Sequence, residues 1–391
     1  MDTASASMLE RAAALADATR PHVADIDREV VSGSVAYKHL RSSGLLSLLV
    51  PTAFGGDGGT FSQYTEVLEK IAQTDLATAL GFNMHNVAIG SLCEAGDTAL
   101  PEGAARFRAW VFDQVINEQK LFASATSEAG AGAKLSRLQT TYRPGGDGWV
   151  LSGAKSFVSL AGVADYFIVA ARAADDDSEH EISHFVVAAG DPGVRFGQFW
   201  NGAALAGTST ATMFLEDVPV SQERLMMNVQ GMSLIKLARE PHWMISGYTG
   251  AYLGLAASMC AELIAVVSRD ARKSADPVVV QQIGRLVVEL RATRALVRAA
   301  GVMIDTRRGT PEAAETVHAA KYRTGELLAE LADACVRLGG TVALNRAHPL
   351  ERMLREAPFC RVMPAKPAEC LEYVGKAALG VNMRDVRNFT W

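Results

Sequence analysis

Twice along this chain the spacing of apolar residues changes, and that pair of changes restricts the fold more than any single motif. Over residues 1 to about 120 the spacing is helical. Val67, Leu68 and Ile71 follow Ser62 and Glu66 in the manner of a capped amphipathic helix, and Gly55, Gly56, Gly58 and Gly59 mark the turn before it. From about 121 to 219 the apolar runs shorten to strand length. Tyr166 to Ala171, His184 to Ala188 and Thr212 to Leu215 are separated by Gly, Pro and Asp, and Pro144-Gly145-Gly146-Asp147-Gly148 predicts a hairpin turn. Beyond about 230 the chain is Ala-, Leu- and Arg-rich at helical spacing again. Ile283, Leu286, Val287, Leu290, Ala295 and Leu296 share mainly one face, with Arg285, Glu289 and Arg298 mostly outside it. Helices, then strands, then helices predict an α+β fold in three parts. These are an N-terminal helical domain over 1–120, a middle antiparallel β-domain over 121–225 and a C-terminal four-helix-type bundle over 226–391.

Composition narrows the function classes. The 391 residues are 49% hydrophobic with a formal net charge of -5, and no basic run or aromatic-interleaved patch offers an electrostatic footprint for nucleic acid. Cys93, Cys260, Cys335, Cys360 and Cys370 are odd in number and lack CxxC spacing, which reads as reduced thiols in a cytoplasmic protein. No Cys/His pair sits at zinc-ligand spacing, so no metal site is expected. Residues 1–20 lack the basic and apolar regions of a signal peptide, and no membrane span is expected from the apolar runs. The acidic stretch from Ala174 to Glu179 reads as a solvated loop.

Five segments, in order, resemble the acyl-CoA dehydrogenases. Gly44-Leu45-Leu46 through Val50-Pro51 and Phe54-Gly55-Gly56 is similar to an early family segment. Thr126-Ser127-Glu128-Ala129-Gly130-Ala131-Gly132 resembles the family's T-E-P-G-A-G-S-D stretch. Gly153-Ala154-Lys155-Ser156-Phe157-Val158-Ser159, then Ala161 to Asp165, resembles G-x-K-x-W-I-T-N-A-G-x-A-D. Trp200 through Gly207-Thr208 resembles W-x-x-L-G-M-R-G-T. Gly339-Gly340 with Pro349-Leu350-Glu351-Arg352 and Arg355-Glu356-Ala357 resembles G-G, P-v-E-R and R-D-A. The resemblance implies a flavin, FAD or FMN, whose ring needs hydrogen-bond partners and an apolar wall. It places Thr126 and Ser127 at the pyrimidine side, Phe157 against the ring and the Ser159 hydroxyl at N5. Arg272 would address the adenine side. Gly339 and Gly340 would serve a neighbouring subunit's cofactor, which implies a homodimer or homotetramer.

The departures concern the reaction. Dehydrogenation of a thioester needs a carboxylate to take the α-proton. The position nine residues after the family's R-D-A arginine is here Pro364, and the alternative position on the helix before Gly254-Leu255-Ala256 is Met244. The Ser and Asp expected after Gly132 are Ala133 and Lys134, the Arg of G-M-R-G-T is Ala206, and R-x-x-F-G is reduced to Arg272-Lys273-Ser274-Ala275-Asp276.

Tyr252-Leu253-Gly254-Leu255-Ala256 and Ser159 are similar to the family's flavin-dependent monooxygenase branch, which includes dibenzothiophene monooxygenase and indole hydroxylases. That branch receives reduced flavin from a partner reductase and oxygenates a substrate through a C4a-hydroperoxide. The resemblance therefore implies a monooxygenase acting on a bulky apolar or aromatic small molecule, with a flavin reductase as partner. Two readings stand beside it: an acyl-CoA or acyl-carrier-protein dehydrogenase with a non-standard base, and a base-less subunit of a hetero-oligomeric dehydrogenase. His85 is the candidate acid or peroxide partner beside Ser159. Met84, Trp243, Met244, Tyr248, Met363 and Tyr373 are expected to line the substrate pocket.

Overall fold

The computed structural model describes residues 3–94, 100–130, 132, 135–175, 181–231, 240–385 and 388. Ala131, Ala133, Lys134 and the acidic residues Asp176, Asp177 and Glu179 lie outside the described residues.

The N-terminal part is helical: α1 (Thr3–Thr19), α2 (Val23–Asp27), α3 (Ser34–Ser42), α4 (Phe61–Ala72), α5 (Leu76–Glu94) and α6 (Glu102–Ile116). The cap of helix α4 lies two residues before the one read from the sequence. Thr60 is the N-cap and forms a reciprocal capping box with Gln63, which satisfies two backbone N–H groups that the first turn leaves over. Ser62 instead bonds the Asp305 carboxylate.

Among the described residues seven strands follow: β1 (Phe122–Ala125), β2 (Thr141–Gly145), β3 (Gly148–Val158), β4 (Tyr166–Ala173), β5 (Ile182–Ala188), β6 (Val194–Phe199) and β7 (Ala211–Ser221). The β2–β3 hairpin turns through Gly146 and Asp147, as the Gly-rich pentapeptide predicts, and Gly146 takes a φ of +57°. Most pairings are antiparallel, but β4 runs parallel to β1 and to the end of β2. Neither parallel pair is joined by a hairpin, because β2 and β3 intervene between β1 and β4, and β3 between β2 and β4.

Among the described residues, three long helices build the C-terminal part: α7 (His242–Ser268), then, after the short α8 (Ala271–Ala275), α9 (Pro277–Arg307) and α10 (Pro311–Gly339). The chain ends in α11 (Pro349–Glu356) and α12 (Pro367–Ala378). Helix α9 buries Leu286, Leu290, Val297 and Ile304 on one face, although Ala295, expected on that face, is exposed. Helix α7 is apolar and long enough to cross a membrane, which the sequence reading did not anticipate. It is instead the central column, packed by α4, α5, α9 and α10, and glycines at 247, 250 and 254 let α4 and α5 approach its backbone. One continuous apolar core joins all three parts, so the sheet and both helical sets hold each other in place.

Candidate active site

Two strand ends carry the residues that the sequence motifs single out, and the fold brings them together. Thr126 and Ser127 follow β1, and Phe157 lies at the end of β3 with Ser159 just after it. Ser127 O accepts from Ser156 N at 2.8 Å, which stitches the two ends side by side. Under this seam lies a buried ion pair: Lys155 Nζ is 2.7 Å from Glu128 Oε1, with side chains 0% and 4% exposed. Lys155 Nζ also donates to Thr126 O at 3.4 Å, and Glu128 accepts from the backbone N–H groups of Gln139 and Thr140. Burial lowers the Lys155 ammonium to about 8, against the pull of Glu128. Burial works against the Glu128 carboxylate too, but Lys155 and the hydrogen bonds outweigh it and hold Glu128 below its ordinary value. Both residues stand inside the quoted motifs. Their pairing across 27 residues has no local sequence signal.

A register shift between Lys155 and Val158 forms a bulge in β3 and puts Phe157 at a φ of +56°, unusual for a residue with a Cβ. The bulge turns the ring outward, where it is 64% exposed. Phe157 meets Trp200 edge-to-face at 5.9 Å, and Trp200 meets Phe359 of the C-terminal part at 6.4 Å. Trp200 is fixed through its Nε1, which donates to Ala204 O at 3.0 Å. Beside this aromatic wall Ser159 Oγ lies 3.0 Å from Thr210 Oγ1. An outward apolar ring next to oriented hydroxyls and backbone amides is what a flavin ring requires, so the residues at this end fit the group.

The residues expected at the adenine end form a second group. Lys273 Nζ donates to Leu338 O at 2.7 Å, which brings Arg272 close to the C-terminus of α10, where Gly339 and Gly340 lie. Gly340 has a φ of +62° and open space where a Cβ would sit. The Arg272 side chain is 96% exposed, and its one described ionic neighbour, Asp270, is 4.0 Å away.

His85 is placed otherwise than the sequence reading expects. It is fully buried in α5, with Nε2 3.0 Å from Leu46 O and Nδ1 accepting from Phe122 N at 3.1 Å. Desolvation pushes its pKa down to about 4, so the ring is neutral at pH 7. With both nitrogens taken up by backbone, His85 is a clip between α5, the Leu46 turn and β1, and has no atom left for a peroxide. Tyr373 is also displaced from the expected pocket: it stacks on buried His318 at 4.1 Å. Met84 and Tyr248 do meet across the α5–α7 seam, with Tyr248 Oη 3.7 Å from Met84 Sδ, while Trp243 packs edge-on against Phe61 at 5.0 Å. Their neighbour His242 is held by Glu94 at 2.9 Å, and Arg308 lies 3.1 Å from the same carboxylate oxygen.

The loop that carries Pro364 is anchored by a residue that sequence reading missed. Lys321 is 2% exposed, and its ammonium donates to the carbonyls of Cys360, Met363 and Ala365 at 2.6, 3.1 and 3.0 Å. Pro364 and Met244 are both half-buried, and neither can take a proton. The carboxylate nearest in sequence to Pro364 on its N-terminal side, Glu356, is buried and paired with Arg352 at 2.7 Å.

Sequence models of the acyl-CoA dehydrogenase N-terminal, middle and C-terminal domains match residues 4–102, 123–218 and 247–363. Cyclohexane-1-carbonyl-CoA dehydrogenase of Syntrophus aciditrophicus is 24% identical over 356 residues, which cover 89% of each chain. The structure of butyryl-CoA dehydrogenase from Megasphaera elsdenii matches with a TM-score of 0.86 and 20% identity, over 97% of this chain and 99% of that one. FMN-bound TdsC from Paenibacillus sp. A11-2, a dibenzothiophene monooxygenase, matches with a TM-score of 0.85 and 21% identity, over 95% and 97%. The three domain matches in order, the shared backbone and the paired strand ends identify this chain as a member of the acyl-CoA dehydrogenase family, a flavin-dependent oxidoreductase.

Proposed function

We propose that the protein is a monooxygenase that takes reduced flavin, preferably FMN, from a partner reductase and oxygenates a bulky aromatic or apolar small molecule. The observation that carries this reading is the absence of a carboxylate at both positions, 364 and 244, from which the resemblance would draw a base. Flavin bound here supplies electrons to dioxygen. The chain's own part is to seat the ring on Phe157 and Trp200, to offer the Ser159 hydroxyl at N5 and to keep water from the reacting atoms. The reduction of R-x-x-F-G to Arg272-Lys273-Ser274-Ala275-Asp276 supports FMN over FAD, because the Phe and Gly of the adenine side are missing. Met84, Trp243 and Tyr248 support an aromatic or apolar guest. Five unpaired thiols support a cytoplasmic home.

Curated relatives, the Syntrophus aciditrophicus protein among them, are named as acyl-CoA dehydrogenases, and for that reason thioester oxidation is the second reading. The two separate in one preparation. Protein purified colourless, which captures reduced FMN and converts indole or dibenzothiophene to an oxygenated product in the presence of a flavin reductase, supports the first. Protein purified yellow with FAD, and bleached by acyl-CoA, supports the second.

A further inference from the structure

Three hydroxyls run in a chain behind the flavin-facing end of β3. Ser159 Oγ lies 3.0 Å from Thr210 Oγ1, which lies 2.8 Å from Thr208 Oγ1. The chain ends on a carbonyl, since Thr208 Oγ1 donates to Leu205 O at 2.8 Å. Thr208 is buried, and the turn that holds it is closed by its own N–H on Leu205 O at 3.0 Å.

A carbonyl has no proton to give, and each hydroxyl has one. The proton of Thr208 is committed to Leu205, so Thr208 accepts from Thr210. The proton of Thr210 is then committed as well, so Thr210 accepts from Ser159. Ser159 therefore donates inward and turns lone pairs toward the cleft. We infer that the Ser159–Thr210–Thr208 chain makes position 159 a hydrogen-bond acceptor toward the bound flavin, so that the site selects the reduced cofactor. This rests on the reading that Ser159 faces flavin N5.

Reduced flavin carries N–H at N5, which an acceptor satisfies. Oxidised flavin has a lone pair there and needs a donor. The chain can reverse, but only by withdrawing the Thr208 hydroxyl from Leu205 O, a net loss of one hydrogen bond. A loss of that size is about three- to tenfold in relative affinity. Thr208 and Thr210 are thus positioning residues that act through Ser159. A protein supplied with flavin by a separate reductase gains from such a bias, since it captures the reduced form and lets the spent form leave.

The test is an anaerobic titration of the full chain with oxidised and with reduced FMN, read by quenching of tryptophan fluorescence. Wild-type protein should bind the reduced form more tightly. Thr208→Val keeps the side-chain shape, removes the anchor and frees Thr210 to donate to Ser159. It should move the reduced-to-oxidised affinity ratio about three- to tenfold toward the oxidised form. Thr210→Val should move it in the same direction and serves if the first variant does not fold. Oxidised 5-deaza-FMN, which has C–H in place of the N5 lone pair, should bind wild type and Thr208→Val equally. A ratio unmoved in both variants, or the same shift with 5-deaza-FMN, overturns the hydroxyl chain while leaving the flavin site standing. Wild-type protein that binds neither form of FMN overturns the flavin reading, and the chain with it.

Discussion

Ser159 and His85 entered as a pair of candidate catalytic residues, and their surroundings separate them. Ser159 stands at a strand end, half-buried, with its oxygen beside Thr210. Ser159→Ala should still bind reduced flavin and consume oxygen, but release hydrogen peroxide in place of oxygenated product. The partition should change by roughly tenfold, the size expected when a hydrogen bond is lost from a water-poor site. Peroxide and product quantified together check this, and unchanged coupling removes Ser159 from the mechanism. His85 has the opposite surroundings, no exposure and two backbone partners. Its folded pKa of about 4, and that of His318 at about 4, lie below the ordinary value of 6.5, in both cases through burial. A base held neutral by the fold binds fewer protons folded than unfolded, so stability is full above pH 6.5 and is lost as pH falls toward 4. Each histidine contributes on the order of 3 kcal/mol to that loss. Glu356, raised to about 7 chiefly by burial, works in the other direction between pH 7 and 4.5. Urea midpoints from pH 7 to 4.5 should therefore fall, and fall less in a His85→Gln variant. A midpoint that does not change with pH contradicts this account.

At the scale of elements, β3 shows what a sequence yields and what it withholds. Its hairpin with β2 was legible because Pro144 to Gly148 supplies the turn chemistry locally. The motif from Gly153 to Ser159 was legible as a resemblance. The bulge that turns Phe157 outward was not, because it depends on the register with β7, a partner some 60 residues away. The Glu128–Lys155 clamp and the Lys321 anchor were hidden for the same reason: a buried charge looks like a surface charge until its partner is known. Loss of one member of a buried ion pair leaves the other unpaired. Lys155→Met should therefore cost about 3–5 kcal/mol of stability. It should also weaken flavin binding by loosening Thr126 from the end of β3. A urea midpoint within error of wild type would show that the clamp carries no such energy. The helix faces were read more reliably than the helix ends, as Thr60 shows by capping α4 where Ser62 was expected.

At the scale of the whole molecule, the order helix, sheet, helix was written in the hydrophobic period, and the fold follows it. The reaction was not written there, because acyl-CoA dehydrogenases and TdsC share this backbone. Assembly was implied only by resemblance. In support, Val280, Val288 and Val302 are exposed on one side of α9, a stripe suited to a partner helix. Val288→Glu should shift a dimer or tetramer toward smaller species in light scattering at micromolar concentration. A wild-type monomer under those conditions would contradict the expected assembly. The proposed function requires that this protein does not oxidise thioesters, because the position from which the resemblance would draw a base is Pro364. It is tested most directly by mixing the flavin-loaded protein anaerobically with short- and medium-chain acyl-CoA and following the flavin's visible band. The account predicts no bleaching, whereas bleaching on the order of 1 per second or faster would contradict it.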